Sequence, residues 1–261
     1  MTDLPSETQV IVIGGGVIGA SVLYHLTQAG WTDVVLLERT ELTAGSTWHS
    51  AGGMHTLNAD PNVAKLQQYT IELYKEIEEL SGQDCGVTVT GGIMLADTEQ
   101  RMDWLRNAHA RGRYLGMETE LLSVAEAKEL LPIFDEQFFV GAMYDAHEGH
   151  VDPSGVTHAF AKAARQNGAQ IFRDTWVRDL EPTSDGRWSV HTFRTSTGEE
   201  LDTIRSAHVV NAGGLWAREV GRMVGLNLPV LAMEHTYIPV SYTHLRAHET
   251  SLHLVCRLLL E

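Results

Sequence analysis

The chain of 261 residues holds 34 Asp and Glu against 19 Lys and Arg, which gives a formal net charge of −15. This charge argues against nucleic acid or an anionic membrane surface as a partner, and no apolar stretch approaches the ~20 residues of a membrane span. The N-terminal segment resembles neither a signal peptide nor an Arg-rich transit peptide, and the two cysteines, Cys85 and Cys256, suit a reducing compartment. We therefore expect a soluble, cytoplasmic α/β protein.

The first elements form the pattern of a βαβ unit that binds the ADP half of a dinucleotide. An apolar run, Val10 to Ile13, leads into Gly14-x-Gly16-x-x-Gly19, a helical pattern and a second apolar run that ends on Glu38. Gly14 allows a tight turn, Gly16 has no Cβ to block a pyrophosphate, and Gly19 lets the helix pack close to the strand. The helix N-terminus attracts the pyrophosphate, and Glu38 can accept hydrogen bonds from ribose hydroxyls.

The remaining elements are predicted from apolar periodicity and from cap and turn signals. In chain order they are a Gly/Ser/Thr/Ala-rich loop at 42–53, a helix at 61–80 with Asp60 as N-cap, β-like segments at 87–90 and 93–96, a helix at 98–115, a short helix opened by the capping box Ser123–Glu126, a strand at 138–144, a helix at 154–167 preceded by Asp152, strands at 170–172 and 176–180, a hairpin turned at Asp185-Gly186 with its second strand at 188–193, a strand near Leu201, a strand at 208–211 and a helix at 215–225. The apolar face of the helix at 61–80 is predicted at Val63, Leu66, Ile71, Tyr74, Ile77 and Leu80.

Residues 240–261 differ in character from the rest of the chain. Their His and Cys residues, namely His244, His248, His253 and Cys256, could be interpreted as metal ligands. We set this interpretation aside, because residues 240–250 and 254–261 resemble the two constant parts of a translated sequencing adapter. We therefore expect a non-native tail, no metal site, and a native sequence that is cut off near Ile238 and belongs to a longer protein.

The cofactor is not decided by the glycine fingerprint, since Glu38 is compatible with NAD or FAD. A nicotinamide enzyme normally continues from the second strand through further βα units. This chain instead enters the loop at 44–53 and returns to dinucleotide-like strands only after Val151. An interrupted nucleotide domain of this kind favours a flavin enzyme.

The chain resembles FAD-dependent amine oxidoreductases of the D-amino-acid-oxidase superfamily, within them the dimethylglycine and sarcosine dehydrogenase group. The matching stretches are VIVIGGGVIG, VVLLERTELTAGSTWHSAGG, GHVDPSG, VVNAGGLWAREVGRMVG and AMEHTYI. The resemblance implies an α/β fold in which a Rossmann-like FAD-binding domain, residues 1–80 and 148–226, is interrupted by an α+β substrate (cap) domain. The cap would comprise residues 81–147 and 227–239 and would be truncated at its C-terminal end.

The resemblance also implies roles for particular residues. His49 matches the histidine that attaches the flavin covalently, although a hydrogen-bonding role for His49 stays open. His235 matches an active-site histidine that orients or deprotonates the amine, and a purely structural role is equally open. The residues expected along FAD are Gly14, Gly16, Val17, Ile18, Gly19, Glu38, Arg39, Gly45, Ser46, Thr47, Trp48, His49, Ser50, Ala51, Gly52, Gly53, Val177, Gly213 and Trp216.

The implied function is oxidative demethylation of an N-methylated glycine-like amine of the dimethylglycine or sarcosine type. Hydride would pass to FAD, and water would release formaldehyde from the resulting iminium. The alternatives are oxidation of another amine or amino acid, oxidation of an alcohol such as glycerol 3-phosphate, and a fragment that is inactive as given. The expected partners are a small amine substrate and an electron acceptor, either oxygen or an electron-transfer protein.

Overall fold

The computed structural model describes residues 4–58 and 60–233. Within these residues the chain forms eleven strands and six α-helices, joined by turns that include two short 3-10 helices. In chain order the elements are β1 (Glu7–Ile13), α1 (Val17–Gln28), β2 (Val34–Leu37), β3 (Gly53–Met54), α2 (Pro61–Ser81), β4 (Gly92–Ala96), α3 (Glu99–Tyr114), β5 (Thr119–Leu122), α4 (Val124–Leu130), β6 (Gly141–Asp145), β7 (Gly149–His150), α5 (Pro153–Gln166), β8 (Gln170–Phe172), β9 (Thr175–Pro182), β10 (Trp188–Arg194), β11 (Ile204–Asn211) and α6 (Ala217–Met223).

A six-stranded sheet with the order β8-β2-β1-β11-β10-β9 forms the centre of the fold. Strands β8, β2, β1 and β11 are parallel, whereas β11, β10 and β9 pair antiparallel. Ile13, the last residue of β1, pairs with Leu37 of β2 on one side and with Asn211 of β11 on the other. Three parallel strands therefore end together. Because ligands of open α/β sheets bind outside the carboxyl ends of such strands, this edge is where a dinucleotide site is expected.

Each central strand is buried on both faces, as is typical of parallel sheets covered on two sides. Val12 of β1 packs in the cluster that contains Leu23 of α1 and Phe160 of α5. The next residue toward the N-terminus, Ile11, packs in a second cluster that contains Val190 of β10. These side chains are at most 2% exposed, and burial of each large one contributes about 1.5–3 kcal/mol. Helices α1, α2 and α5 thus cover one face of the parallel strands, and β9, β10 and α6 pack on the other.

Between β2 and β8 the chain leaves the central sheet and builds a second layer. Strands β4, β6 and β5 form an antiparallel three-stranded sheet, which we call the cap sheet. Its own small core contains Met102 and Leu105 of α3 and Met143 of β6. A two-stranded pair of β3 and β7 lies in the same insertion and joins the end of the loop at 42–53 to the segment that opens α5. The predicted Rossmann-like fold with an α+β insertion is confirmed.

The helix starts that the cap signals predict are confirmed. The Asp60 carboxylate accepts hydrogen bonds from the amides of Asn62 and Val63, and the Asp152 carboxylate accepts one from Ser154. Ser123 and Glu126 form both halves of the capping box at α4. Each of these side chains binds amides that a helix cannot satisfy internally, which explains why the signals are readable in the sequence.

The predicted apolar face of α2 is only partly correct. Ile71 and Ile77 are buried as expected, but Val63, Leu66 and Leu80 are 40%, 61% and 53% exposed. Ala64 and Ser81, near the two ends of this 21-residue helix, are buried, so the helix is covered along its whole length and its buried face lies to one side of the predicted one. Apolar periodicity missed this face because it includes a small residue and a polar residue.

Three predicted boundaries are wrong. The strand expected at 138–144 begins only at Gly141, because the Asp135 carboxylate accepts the Gln137 amide and stabilises a 3-10 turn before it. The segment at 87–90 contributes one isolated bridge, between Thr88 and His150, rather than a strand. The helix expected at 215–225 is α6 (Ala217–Met223), and a 3-10 turn precedes it.

The strand expected near Leu201 is also wrong. That part of the chain forms one isolated bridge, Phe193 to Glu200, and regular pairing resumes only with β11.

The domain boundaries stated above stay predictions, as does the non-native tail. His235 and residues 240–261 lie outside the described residues. Over the ranges 4–58 and 60–233, the structure contains no helix that is long and apolar enough to cross a membrane.

We predict that Gly19→Ala destabilises the fold by about 3 kcal/mol or more, despite the higher helix propensity of alanine. A Cβ at residue 19 would collide with the backbone carbonyl of Gly14, which cannot move without disturbing the β1–α1 turn. Gly45→Ala is the matched control, since a Cβ there would meet only Trp216, at 3.5 Å. Urea-induced unfolding measures both changes. Equal unfolding free energies for the two variants would contradict the prediction.

Candidate cofactor-binding site

The glycine turn after β1 depends on close backbone contacts. The amide of Gly14 donates a hydrogen bond to the carbonyl of Leu37 at 2.9 Å, which joins the turn to the end of β2. Gly14 has φ = 115°, and a Cβ there would collide with the Ala212 carbonyl. The roles predicted for Gly14 and Gly19 agree with this geometry: one allows the turn, and the other allows the helix to approach it.

Glu38 is tied to the same turn. Its Oε2 accepts the amide hydrogen of Gly15 at 2.6 Å, and its Oε1 accepts the Thr40 amide at 2.7 Å. The carboxylate is therefore held in place before any ligand arrives. Oε1 also accepts the Thr40 hydroxyl hydrogen at 3.2 Å, so the second lone pair of Oε2 remains for a ribose hydroxyl. Gly15 was not predicted as a functional residue, although the run of three glycines is a signal that could have identified it.

The N-terminus of α1 is held by the loop that follows β2. Gly16 is the N-cap and has no side chain to cap the helix, but the Thr47 hydroxyl accepts the Val17 amide hydrogen at 3.0 Å. The Thr43 amide also donates to the Gly15 carbonyl, at 3.0 Å. Thr47 thus has a capping role that the sequence did not reveal, and it positions the loop directly beside the turn.

The first turn of α1 keeps donors for an anion. Within the described residues the amides of Ile18 and Gly19 have no hydrogen-bond partner. The Ile18 side chain is 66% exposed, so this end of the helix is open to solvent. Unpaired amides and the helix dipole together suit a pyrophosphate. A Cβ on Gly16 would meet only Thr47, at 3.0 Å, which leaves the other side of this residue open.

The residues at 45–51 form a series of turns that expose most of their side chains, including those of Ser46, Ser50 and Ala51. His49 Nδ1 lies 3.0 Å from the Gly45 carbonyl oxygen, which can only accept, so Nδ1 is the nitrogen that carries the hydrogen. The Trp48 and His49 rings pack with centroids 3.9 Å apart. The His49 ring is therefore exposed and yet held in one orientation.

Two further predicted residues meet beside this loop. The Arg39 guanidinium lies over the Trp216 ring, with Cζ 4.3 Å from the ring centroid, as in a cation–π contact. Trp216 also borders Gly45, and Gly213 comes just before it, where its amide donates to Asn211 Oδ1 at 3.1 Å. The ends of β2 and β11 thus bring Arg39, Trp216 and Gly213 to one edge.

The last glycines of the loop connect it to the cap side of the molecule. Gly52 has φ = 72°, and its carbonyl accepts the Val151 amide at 2.9 Å. Gly53 then pairs with His150 in the β3–β7 strand pair. A side chain at Gly52 would collide with the Val151 carbonyl, so the close approach of the two segments requires glycine there.

The start of β9 is bonded to Glu38 and so brings Val177 close to it. The Thr175 amide donates to the Glu38 carbonyl at 2.9 Å, and the Val177 side chain is 3% exposed, in the core under the antiparallel strands. Because alternate residues of a strand direct their amides to the same edge, the Val177 amide is on the edge that faces Glu38. All the predicted cofactor residues except Val177 lie in the glycine turn, the first turn of α1, the loop, or just after the ends of β2 and β11.

The site fits an ADP-containing dinucleotide by its own chemistry. It offers unpaired helix amides for a diphosphate, a carboxylate held by two backbone amides for a ribose, and a glycine turn in which two Cβ atoms would collide with carbonyls. An exposed histidine and two exposed indoles, Trp48 and Trp216, stand beside it.

Residues 9–257 match the family model "DAO: FAD dependent oxidoreductase". The chain is 38% identical to mitochondrial dimethylglycine dehydrogenase of Rattus norvegicus over 235 residues, which is 90% of this chain and 27% of that protein. It is 36% identical to mitochondrial sarcosine dehydrogenase of Homo sapiens, over 96% of this chain and 28% of that one. The 4-methylaminobutanoate oxidase (formaldehyde-forming) of Paenarthrobacter nicotinovorans is 32% identical, over 90% and 28%.

A solved structure agrees with this family assignment. L-proline dehydrogenase from P. horikoshii superimposes with a TM-score of 0.77 at 26% identity, over 85% of this chain and 57% of that one. The chain spans just over a quarter of the length of the curated relatives that it matches. It belongs to the DAO family of FAD dependent oxidoreductases.

Proposed function

We propose that this protein binds FAD at the glycine turn and oxidises an N-methylated, glycine-like amine of the dimethylglycine or sarcosine type. The observation that carries the proposal is His49, an exposed ring held in one orientation on a loop that is bonded to the dinucleotide turn. Its Thr-Trp-His context, together with 38% identity to a dimethylglycine dehydrogenase, supports this class over an alcohol oxidase.

The residues present fit FAD, and each would hold a separate part of it. The α1 N-terminus, with Ile18 and Gly19 amides, would bind the diphosphate, and Glu38 would bind the adenosine ribose. The Val177 backbone would contact the adenine, while residues 45–53 and Trp216 would border the flavin. When bound, the flavin supplies the hydride acceptor that the side chains of the protein lack.

His49 would form the covalent attachment. With its hydrogen on Nδ1, donated to Gly45, a neutral His49 ring has its lone pair on Nε2, so we propose attachment through Nε2. The Trp48 ring would keep the imidazole in place during this reaction. A covalent bond would then fix the isoalloxazine against the substrate without relying on binding affinity alone.

The residues' part in the reaction is to bind, orient and deprotonate the amine. Loss of hydride from an N-methyl carbon needs the nitrogen lone pair, and it leaves a substrate iminium that water cleaves to formaldehyde and the demethylated amine. His235 is proposed to orient or deprotonate the amine, although it lies outside the described residues. The electrons then pass to an acceptor, either oxygen or an electron-transfer protein.

We keep the cytoplasm as the proposed compartment, although the rat and human relatives described above are named as mitochondrial.

We predict that the protein expressed from its complete reading frame oxidises dimethylglycine or sarcosine and releases one formaldehyde per turnover. The rate should rise with pH as the substrate ammonium loses its proton. Formaldehyde is measured with oxygen alone and with an artificial dye acceptor, which separates an oxidase from a dehydrogenase. Glycerol 3-phosphate is the control substrate. Turnover of the alcohol but of neither amine would refute the proposal, and a rate that is flat in pH would refute the deprotonation step.

We predict that wild-type protein precipitated with acid keeps its flavin fluorescence, whereas His49→Ala releases the flavin. Peptide mass spectrometry should locate the modification on the peptide that contains residue 49. Trp48→Ala, which removes the packed neighbour but no nucleophile, serves as the control and should keep covalent flavin at a reduced level. Acid-stable fluorescence that persists in His49→Ala would show that another residue carries the bond, and release of the flavin from the wild type would show that there is no such bond.

A further inference from the structure

A second histidine stands beside the predicted flavin loop, in contact with a buried carboxylate. His55 follows β3 directly and so comes two residues after Gly53, the last residue of the loop. Glu148 precedes β7, the strand that pairs with β3. The pairing of these two short strands therefore brings His55 and Glu148 together from positions far apart in the sequence.

The two side chains are within hydrogen-bond distance and differ in exposure. His55 Nδ1 lies 3.1 Å from Glu148 Oε2, and the side chains are 62% and 6% exposed. A Cβ on Gly92 would collide with the Glu148 carboxylate, so the carboxylate is tightly enclosed. Its other oxygen, Oε1, is buried and has no hydrogen-bond partner in the described part of the chain. A carboxylate enclosed in this way holds the His55 ring from one side only.

The opposite nitrogen of His55 points at the loop. A Cβ built on Gly53 would lie 3.2 Å from His55 Nε2, which places this nitrogen against the backbone of a residue expected along FAD. With Nδ1 donating to Glu148, Nε2 of the neutral ring carries a lone pair. The arrangement is the one in which a carboxylate orients a histidine base.

The surroundings of Glu148 make its charge sensitive to this contact. Burial raises the pKa of Glu148, the His55 hydrogen bond opposes that rise, and the nearby Asp145 adds to it. Asp145 is itself buried, bonded to the Thr56 hydroxyl and to the His147 amide. The His147 ring lies 3.8 Å from Asp145, which is too far for a hydrogen bond, whereas the His55 ring lies 3.1 Å from Glu148.

We propose that His55 is a proton-accepting residue of the amine oxidation and that Glu148 is the residue that positions it. This inference rests on the proposed function, and of the two roles proposed there for His235 it leaves the orientation of the amine. The ammonium of the bound substrate transfers its N–H proton to Nε2 of His55, so that one N–H bond breaks and another forms. The substrate nitrogen regains its lone pair, and the Glu148 carboxylate stabilises the imidazolium until water takes the proton. No oxidant enters this step.

The kinetic test compares His55→Gln, Glu148→Gln and His147→Gln in the FAD-loaded protein from the complete reading frame. His147 is the matched control. It is an exposed histidine beside a buried carboxylate, and unlike His55 it does not border Gly53. We expect His55→Gln to lower kcat/KM by about 10²–10⁴-fold, mainly in kcat, with the pH dependence altered. Glu148→Gln should give a smaller loss and move the pH at which the rate rises. His147→Gln should stay within about twofold of wild type.

Several outcomes would overturn the inference. Equal losses in His55→Gln and His147→Gln, an unchanged pH profile in both His55→Gln and Glu148→Gln, or loss of bound FAD in proportion to activity would each assign a structural role instead. If the wild type does not oxidise the amine, the proposed function is refuted. If the wild type oxidises it and His55→Gln does so at the normal rate, only the role of His55 is refuted.

A spectroscopic readout is independent of turnover. In protein labelled with ¹⁵N histidine, the resonances missing from His55→Gln identify this ring, and their shifts report its tautomer. We expect the hydrogen on Nδ1 at a pH where the ring is neutral. A hydrogen on Nε2 would overturn the proposal, because that nitrogen could not then accept a proton.

Discussion

The fold and the site both depend on the close backbone approach where β1, β2 and β11 end. The Gly14 amide bonds to Leu37, the Ala212 amide bonds to Ile13, and the Gly15 amide bonds to Glu38. Any Cβ at residue 14 would push these segments apart. The helix that follows can point its N-terminus at this edge only because the turn is so tight. The geometry of the candidate cofactor site and the close packing of these strand ends therefore depend on the same glycine contacts.

The loop at 42–53 takes its position from this edge. Thr43 and Thr47 bond to Gly15 and Val17, which holds the loop against the turn. From that anchor the loop exposes His49 and ends in β3, whose pairing with β7 leads to the cap sheet. One continuous segment thus connects the nucleotide end of the site to the layer expected to enclose the substrate. His55 and Glu148 lie at this connection, which is why we assign them a part in the chemistry.

Helix starts, the βαβ unit and the loop at 42–53 were predictable because their signals are local. Asp60, Asp152 and Ser123 cap the amides within three residues of themselves, and the glycine spacing reports a turn of fixed length. The buried face of α2 and the start of β6 were not predictable in this way. The first depends on which side of the helix its neighbours contact, and the second depends on a turn that competes with the strand.

The sequence alone indicated the cofactor class and the family through the interrupted nucleotide domain and the matching stretches spread along the chain. It also determined most residues around the glycine turn, because that turn needs particular residues at particular spacings. Only the tertiary structure decided which side chains meet across long separations. Thr47 caps α1 from a distance of 30 residues, Arg39 stacks on Trp216, and His55 meets Glu148 through the pairing of two-residue strands. Such contacts leave no periodic signal, since they arise where separately specified segments pack against one another.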